Sequence, residues 1–249
     1  MYILQILSVG NWIWVLLAAF IIGMAKAGLK GIDMLNITIM AIVFGGKAST
    51  GIVLPLLCVA DIAAVWYYKR HVQWVHFFKI IPWMAIGILI GVYVGKAINE
   101  VLFRKMMAII ILVTIVIMLI MELRKNKAVP THTLFVASTG LAAGFTTMLG
   151  NLAGAFANIY FLAMQMPKNK FIGTAAWVFL VINLFKLPFQ IFYWKNITPQ
   201  SLLMDIWLLP ALALGFIVGL KTVAIIKDEY YRKIIIALTF IGAWVIFLK

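Results

Sequence analysis

G-M-A-K-A-G-L-K-G-I-D, from Gly23 to Asp33, interrupts an apolar run that opens near Trp12, and G-F-T-T-M-L-G-N-L-A-G, from Gly144 to Gly154, interrupts a second one. Both runs stop short of the roughly 20 residues that a helix needs to cross the hydrocarbon core. Glycines free backbone groups from helical pairing, and non-helical backbone at membrane depth is tolerated only where protein encloses it or it lines a cavity. Lys26, Lys30, Asp33, Thr146, Thr147 and Asn151 add polar side chains to the two breaks. Broken apolar segments carrying polar groups, in matching places in two halves of a chain, point to a binding site.

The rest of the chain fits that reading. It is 65% hydrophobic and 11% charged, with a mean hydropathy of +1.11, too apolar to cover a soluble globule. The expectation is an all-α polytopic membrane protein in which the bilayer is itself a partner. A net charge of +14 raises nucleic acid as a partner, but the basic residues sit in short clusters between apolar runs, as in cytoplasmic loops, and nucleic acid is set aside. Cys58 is the only cysteine, which excludes an intrachain disulfide and a paired-thiol site. No metal site and no cofactor are expected, and the chain holds no H-E-x-x-H, G-x-S-x-G or P-loop, so an enzyme is not expected.

Apolar segments are expected over about Trp12 to Ala25, Ile32 to Gly45, Thr50 to Tyr68, Trp74 to Val94 and Met106 to Met121, then Leu134 to Leu149, Leu152 to Met164, Ile172 to Trp194, Leu202 to Leu220 and Ile234 to Leu248. Specific residues recur along with hydropathy. Gly23 and Lys47 match Gly144 and Lys168 at an offset of 121, while Pro82, Gly87, Gly91, Glu100, Arg104 and Lys105 match Pro210, Gly215, Gly219, Asp228, Arg232 and Lys233 at 128. The expectation is one membrane domain of two homologous repeats, 1–127 and 128–249, each with a broken or re-entrant short helix pair and three transmembrane helices. An odd number of crossings per half turns the second copy upside down. Six basic residues on the N-terminal side of the membrane against eleven on the other place both termini outside the cytoplasm.

Buried lysines are costly and face a cavity or a partner. Lys26 and Lys30 share a face if the stretch is helical, and an anion suits them, helped by the positive ends of half-helices. The bland alternative is that both snorkel to the headgroups from an interfacial loop. Asn158, Thr174, Asn183, Lys186 and Gln190 form a polar seam in the second half, read as a substrate path or as helix-to-helix hydrogen bonding. Asp61, in a segment of Leu, Val and Ala, is a candidate for coupling to a proton or sodium ion or for a counter-ion to lysine, with Asp33 behind it. The glycine series Gly87, Gly91, Gly95 and Gly215, Gly219 reads as close helix packing.

G-F-T-T-M-L-G-N from Gly144, K-N-K-F-I-G-T-A-A from Lys168, and Asn183 with Tyr193 downstream resemble the TauE/SafE sulfite exporter family, over nearly the whole chain. The first half departs, with A-K-A-G-L-K-G where relatives carry a denser glycine cluster followed by proline. The resemblance implies a multi-pass transporter in the inner (plasma) membrane that moves a small sulfur-containing anion, such as sulfite or an organosulfonate, by alternating access. The expected binding residues are Lys26, Lys30, Thr146, Thr147, Asn151, Asn158, Thr174, Asn183 and Lys186. A passive anion channel and a non-transporting membrane scaffold stand as alternatives, and a homo-oligomer is left open.

Overall fold

The computed structural model describes residues 9–123 and 132–247, so the boundary expected between residues 127 and 128 lies outside the described residues. Among the described residues there are ten α-helices and no strand. In chain order they are α1 (Val9–Lys26), α2 (Asp33–Phe44), α3 (Gly46–Tyr68), α4 (Trp74–Ala97), α5 (Glu100–Leu123), α6 (Thr133–Gly150), α7 (Ala153–Ala163), α8 (Lys168–Pro188), α9 (Pro199–Ile225) and α10 (Asp228–Phe247). A 3₁₀ turn, Lys69–His71, follows α3, and a π-helical turn, Phe189–Tyr193, follows Pro188 at the end of α8. Five segments, Gly46–His71, Trp74–Ala97, Thr133–Gly150, Lys168–Tyr193 and Pro199–Ile225, are long and apolar enough to cross a membrane. Each expected apolar segment therefore forms a helix.

Both interruptions are real breaks. α1 ends at Lys26 because Gly28 and Gly31 take φ of 123° and 96°, a region closed to most side chains. Lys26 and Lys30 are consequently not on one helical face: one closes α1 and the other sits in the turn. α1 and α2 pack side by side across a connection of six residues, a helical hairpin. In the second break, Asn151 caps α6 in the left-handed conformation (φ 56°, ψ 23°) and α7 starts two residues later.

Buried hydroxyls satisfy the carbonyls that the first break leaves without helical partners. Tyr68 Oη donates to Ala27 O at 2.9 Å and Tyr231 Oη to Gly28 O at 2.6 Å. In the second break Thr146 Oγ1 donates to Leu152 O at 3.2 Å. Side chains from α3 and α10 in the first break, and from α6 itself in the second, thus hold irregular backbone in place.

The most extensive helix contacts are α4 on α6 and α9 on α1. Both are glycine contacts. Gly87 and Gly91 lie against Leu141 and Phe145 of α6, and Gly144 against the Met84 carbonyl of α4. Gly215 and Gly219 lie against Phe20 and Met24 of α1, and Gly23 against the Leu212 carbonyl of α9. These partners correspond at the sequence offsets: Phe20 with Leu141, Met24 with Phe145, and Met84 with Leu212. Lys47 Nζ donates to Ile98 O at 3.1 Å, and Lys168 Nζ to Ile226 O, again at corresponding positions. A Cβ at Gly215 would collide with the Phe20 carbonyl, which is backbone and cannot yield. Gly215→Ala is expected to part α1 from α9 at a cost of about 1–3 kcal/mol, seen as a lower thermal midpoint in detergent. An unchanged midpoint would show that the contact is looser than described.

Candidate functional site

The tips of the two breaks meet around one cavity. It is lined by Lys26, Lys30, Asp33 and Asn36 from the first break and the start of α2, by Thr147, Asn151, Ala153 and Gly154 from the second, and by Leu57 of α3 and Phe179 and Asn183 of α8. Its volume of about 30 Å³ has room for one or two water molecules. The first turns of α2 and α7 border it, so two helix N-termini contribute positive potential.

Three lysines reach this centre in different states. Lys26 Nζ is 2.6 Å from Asp61 Oδ1, while Asp61 Oδ2 accepts from Asn183 Nδ2 at 2.6 Å. Asp61 is fully buried, so its charge is held by a direct ion pair and a charge-assisted hydrogen bond. Lys186, also fully buried, donates to Thr147 O at 3.1 Å, Thr147 Oγ1 at 2.9 Å and Asn151 Oδ1 at 2.7 Å. Three acceptors match the three N–H groups of an ammonium. The Asn151 amide is fixed by its own Nδ2 donating to Thr50 O at 3.0 Å.

Lys30 differs. It is only 4% exposed, and its ammonium has neither a hydrogen-bond acceptor nor a carboxylate in pairing distance among the described residues. Its contact is with the face of Phe179, 5.2 Å from the ring centroid, and Lys26 lies 4.9 Å from the same centroid. A cation–π contact stabilises a desolvated ammonium by about 2 kcal/mol, well short of what an ion pair supplies. Asp33 is the remaining charge at the cavity wall. Its Oδ1 accepts from Gly31 N at 2.9 Å, and its Oδ2 lies against the Cα side of Gly154, where only a glycine leaves room for it.

Of the residues expected at a site, Lys26, Lys30, Asp33, Thr147, Asn151 and Asn183 line the cavity, and Asp61 and Lys186 stand directly behind it. Thr146 is spent on the break itself. Asn158 is buried one turn behind Gly154. Thr174 is not a lining residue: near the start of α8, its hydroxyl accepts from Gln73 N at 2.9 Å and donates to Lys170 O at 2.7 Å, which fixes the loop between α3 and α4. Phe179 and Asn36 line the cavity without having been singled out in the sequence. Phe179, Asn183, Lys186 and Gln190 follow at spacings of four, three and four, so helical periodicity could have added the ring to the polar seam.

Gln190 extends that seam outward. In the π-helical turn, its Nε2 donates to Thr50 Oγ1 at 3.3 Å, and its Oε1 accepts from Asn196 Nδ2 at 3.2 Å. Among the described residues no group of three or more His, Cys, Asp or Glu side chains is placed to hold a metal.

The family model described as Sulfite exporter TauE/SafE matches residues 15–245. No curated protein and no solved structure gives a significant match.

Proposed function

The chain belongs to the sulfite exporter TauE/SafE family, a family of membrane transporters, and on that premise we propose that it is a secondary transporter of a small sulfur-containing anion. The observation that carries this reading is Lys30, enclosed by protein at the meeting of both breaks and, among the described residues, without a carboxylate in pairing distance. A buried, unpaired cation is costly unless a ligand neutralises it. The anion sits against Lys30 and Lys26 between the first turns of α2 and α7, with Thr147, Asn151 and Asn183 as polar neighbours. Lys186 fixes the second break, positioning Thr147 and Asn151 rather than meeting the anion itself.

Alternating access is supported by the corresponding contacts of α4 on α6 and α9 on α1. Each repeat lends its fourth helix to the other's first, and a hairpin followed by three crossings brings the second repeat in from the opposite side. Rocking of one repeat against the other would open the cavity to each face in turn. Between the two coupling candidates, Asp61 is held at both oxygens, whereas Asp33 keeps one oxygen toward the cavity. We assign coupling to Asp33. The site of action is the plasma membrane, with both termini outside the cytoplasm.

Counterflow in proteoliposomes tests the reading. Vesicles preloaded with unlabelled sulfite are expected to take up labelled sulfite transiently above its equilibrium level, as a carrier that exchanges one anion for another requires. Monotonic, rapid equilibration would identify a passive channel, and no uptake of any sulfur anion would leave the scaffold.

A further inference from the structure

Asp205 is a buried acid that the anion site does not use. It lies on α9, outside the cavity lining, and is 5% exposed. Neither carboxyl oxygen has a hydrogen-bond partner, and no ion pair reaches it among the described residues. Ser201, one turn before it, has its hydroxyl committed to the helix cap, donating to Thr198 O at 2.9 Å and accepting from Thr198 N at 2.9 Å. Met204 and Leu208 flank Asp205 on the buried face of α9 and belong to an apolar cluster with Val15 and Ala18 of α1 and Val53 and Leu56 of α3.

None of the charged or titratable groups on the helices packed against α9 pairs with Asp205. On α1 only Lys26 titrates, and it is held by Asp61. Gly215 lies against Phe20 and Gly219 against Met24, so α1 and α9 run in the same direction. Lys26 comes level with Lys221, about 24 Å along the axis from Asp205. On α3, Lys47 donates to Ile98 O at 3.1 Å, Asp61 holds Lys26, Tyr68 donates to Ala27 O, Tyr67 is exposed and Cys58 is a free thiol.

An isolated carboxylate out of water is so costly that the group gives up its charge instead. A hard metal cation would need several oxygen ligands, and the cluster around this carboxyl is apolar. A proton needs only the carboxyl itself. Asp205 stands about 9 Å along a helix about 40 Å long, against a hydrocarbon core of about 30 Å, so it lies nearer one face of the membrane than the middle.

The place of Asp205 between helices gives that proton a consequence. α9 belongs to the second of the two repeats read in the sequence, and α1 and α3, which cover its buried face, belong to the first. We infer that Asp205 is a proton-binding site on the contact between the repeats: it is a neutral acid while α9 lies on α1 and α3, and it gives up its proton when rocking lets water reach it. The site is separate from the coupling assigned to Asp33. Its link to rocking rests on the alternating-access reading; the neutral acid does not.

Infrared spectroscopy of the purified full chain reads the proton directly. A protonated carboxyl has a C=O stretch apart from the amide and carboxylate bands, lysines contribute nothing to it, and the chain has only seven Asp and Glu side chains. Near neutral pH the wild type is expected to show that band and Asp205→Asn to lose it. If Asp205→Asn does not fold, Asp205→Leu serves, since an apolar group of similar shape in place of an unpaired buried polar one is neutral or stabilising. No band in the wild type, or an equal band in the variant, would overturn the site whatever the protein transports.

Opening is read by a thiol. Val53→Cys in a Cys58→Ser background is labelled with a water-soluble maleimide in proteoliposomes exchanging sulfite, with Asp205 or with Asp205→Asn. The ratio of the two labelling rates cancels the titration of the thiol and of every lysine, which both proteins share. It is expected to climb as pH rises, by up to about tenfold per pH unit. A flat ratio would overturn the link between this proton and rocking. Labelling in both proteins that sulfite leaves unchanged would overturn rocking itself, and with it the alternating-access reading.

Discussion

Asp61→Asn is expected to destabilise the protein by about 3–5 kcal/mol, the usual cost of removing one partner of a buried ion pair. The substitution keeps the shape of the side chain and deletes its charge. Lys26 then has no carboxylate at 2.6 Å, and Asp33 is the one carboxylate left at the cavity wall among the described residues. Asn183 retains an oxygen to donate to, so the lost hydrogen bond is the lesser part of the effect. The result should appear as a low yield of monodisperse protein and a lowered thermal midpoint. A second substitution checks that charge is responsible. Lys26→Gln in the Asp61→Asn background removes the stranded cation, and the double variant is expected to recover most of the loss, a strong coupling of the kind measured between contacting residues. Additive losses would mean that the two side chains act through packing.

Lys30→Gln has the opposite signature. Because Lys30 has no carboxylate to strand and no hydrogen bond to break among the described residues, its removal relieves a buried charge, and stability without ligand should hold or rise. Anion binding should collapse. A desolvated charge pair at a binding site is worth about 2–4 kcal/mol, or roughly a 30- to 1,000-fold change in affinity. The two lysines that meet the anion are thereby told apart: loss of the Lys26 ion pair shows first in the fold, loss of Lys30 in the ligand.

Much of this arrangement was legible in the sequence. Ten apolar segments and two glycine breaks are properties of local composition, and they appear as ten helices and two interruptions because hydropathy and glycine act over a few residues. The glycines of the spaced series were legible as packing residues for the same reason: Gly87 and Gly215 each admit a backbone carbonyl of a neighbouring helix. Which polar side chain meets which was not legible. The pairing of Lys26 with Asp61, on α1 and α3, depends on the rotation and depth of two helices, which periodicity does not set. Lys186 shows the same limit. Its place on the polar seam was evident, but only the approach of α8 to the end of α6 turns it into a clamp on the second break. Thr174 was grouped with Asn183 although they stand nine residues apart on α8, more than two helical turns. Depth along the helix separates the cavity from the loop that Thr174 secures.

The most direct measurement is the thermal midpoint of the detergent-purified wild type and of Lys30→Gln against increasing methanesulfonate. Binding to the folded state alone stabilises by mass action, about 2.7 kcal/mol at a ligand concentration of 100 Kd. An anion site at Lys30 predicts a midpoint that climbs with concentration in the wild type and stays flat in a folded Lys30→Gln protein. An equal climb in both proteins, or none in the wild type, would contradict an anion site in this cavity.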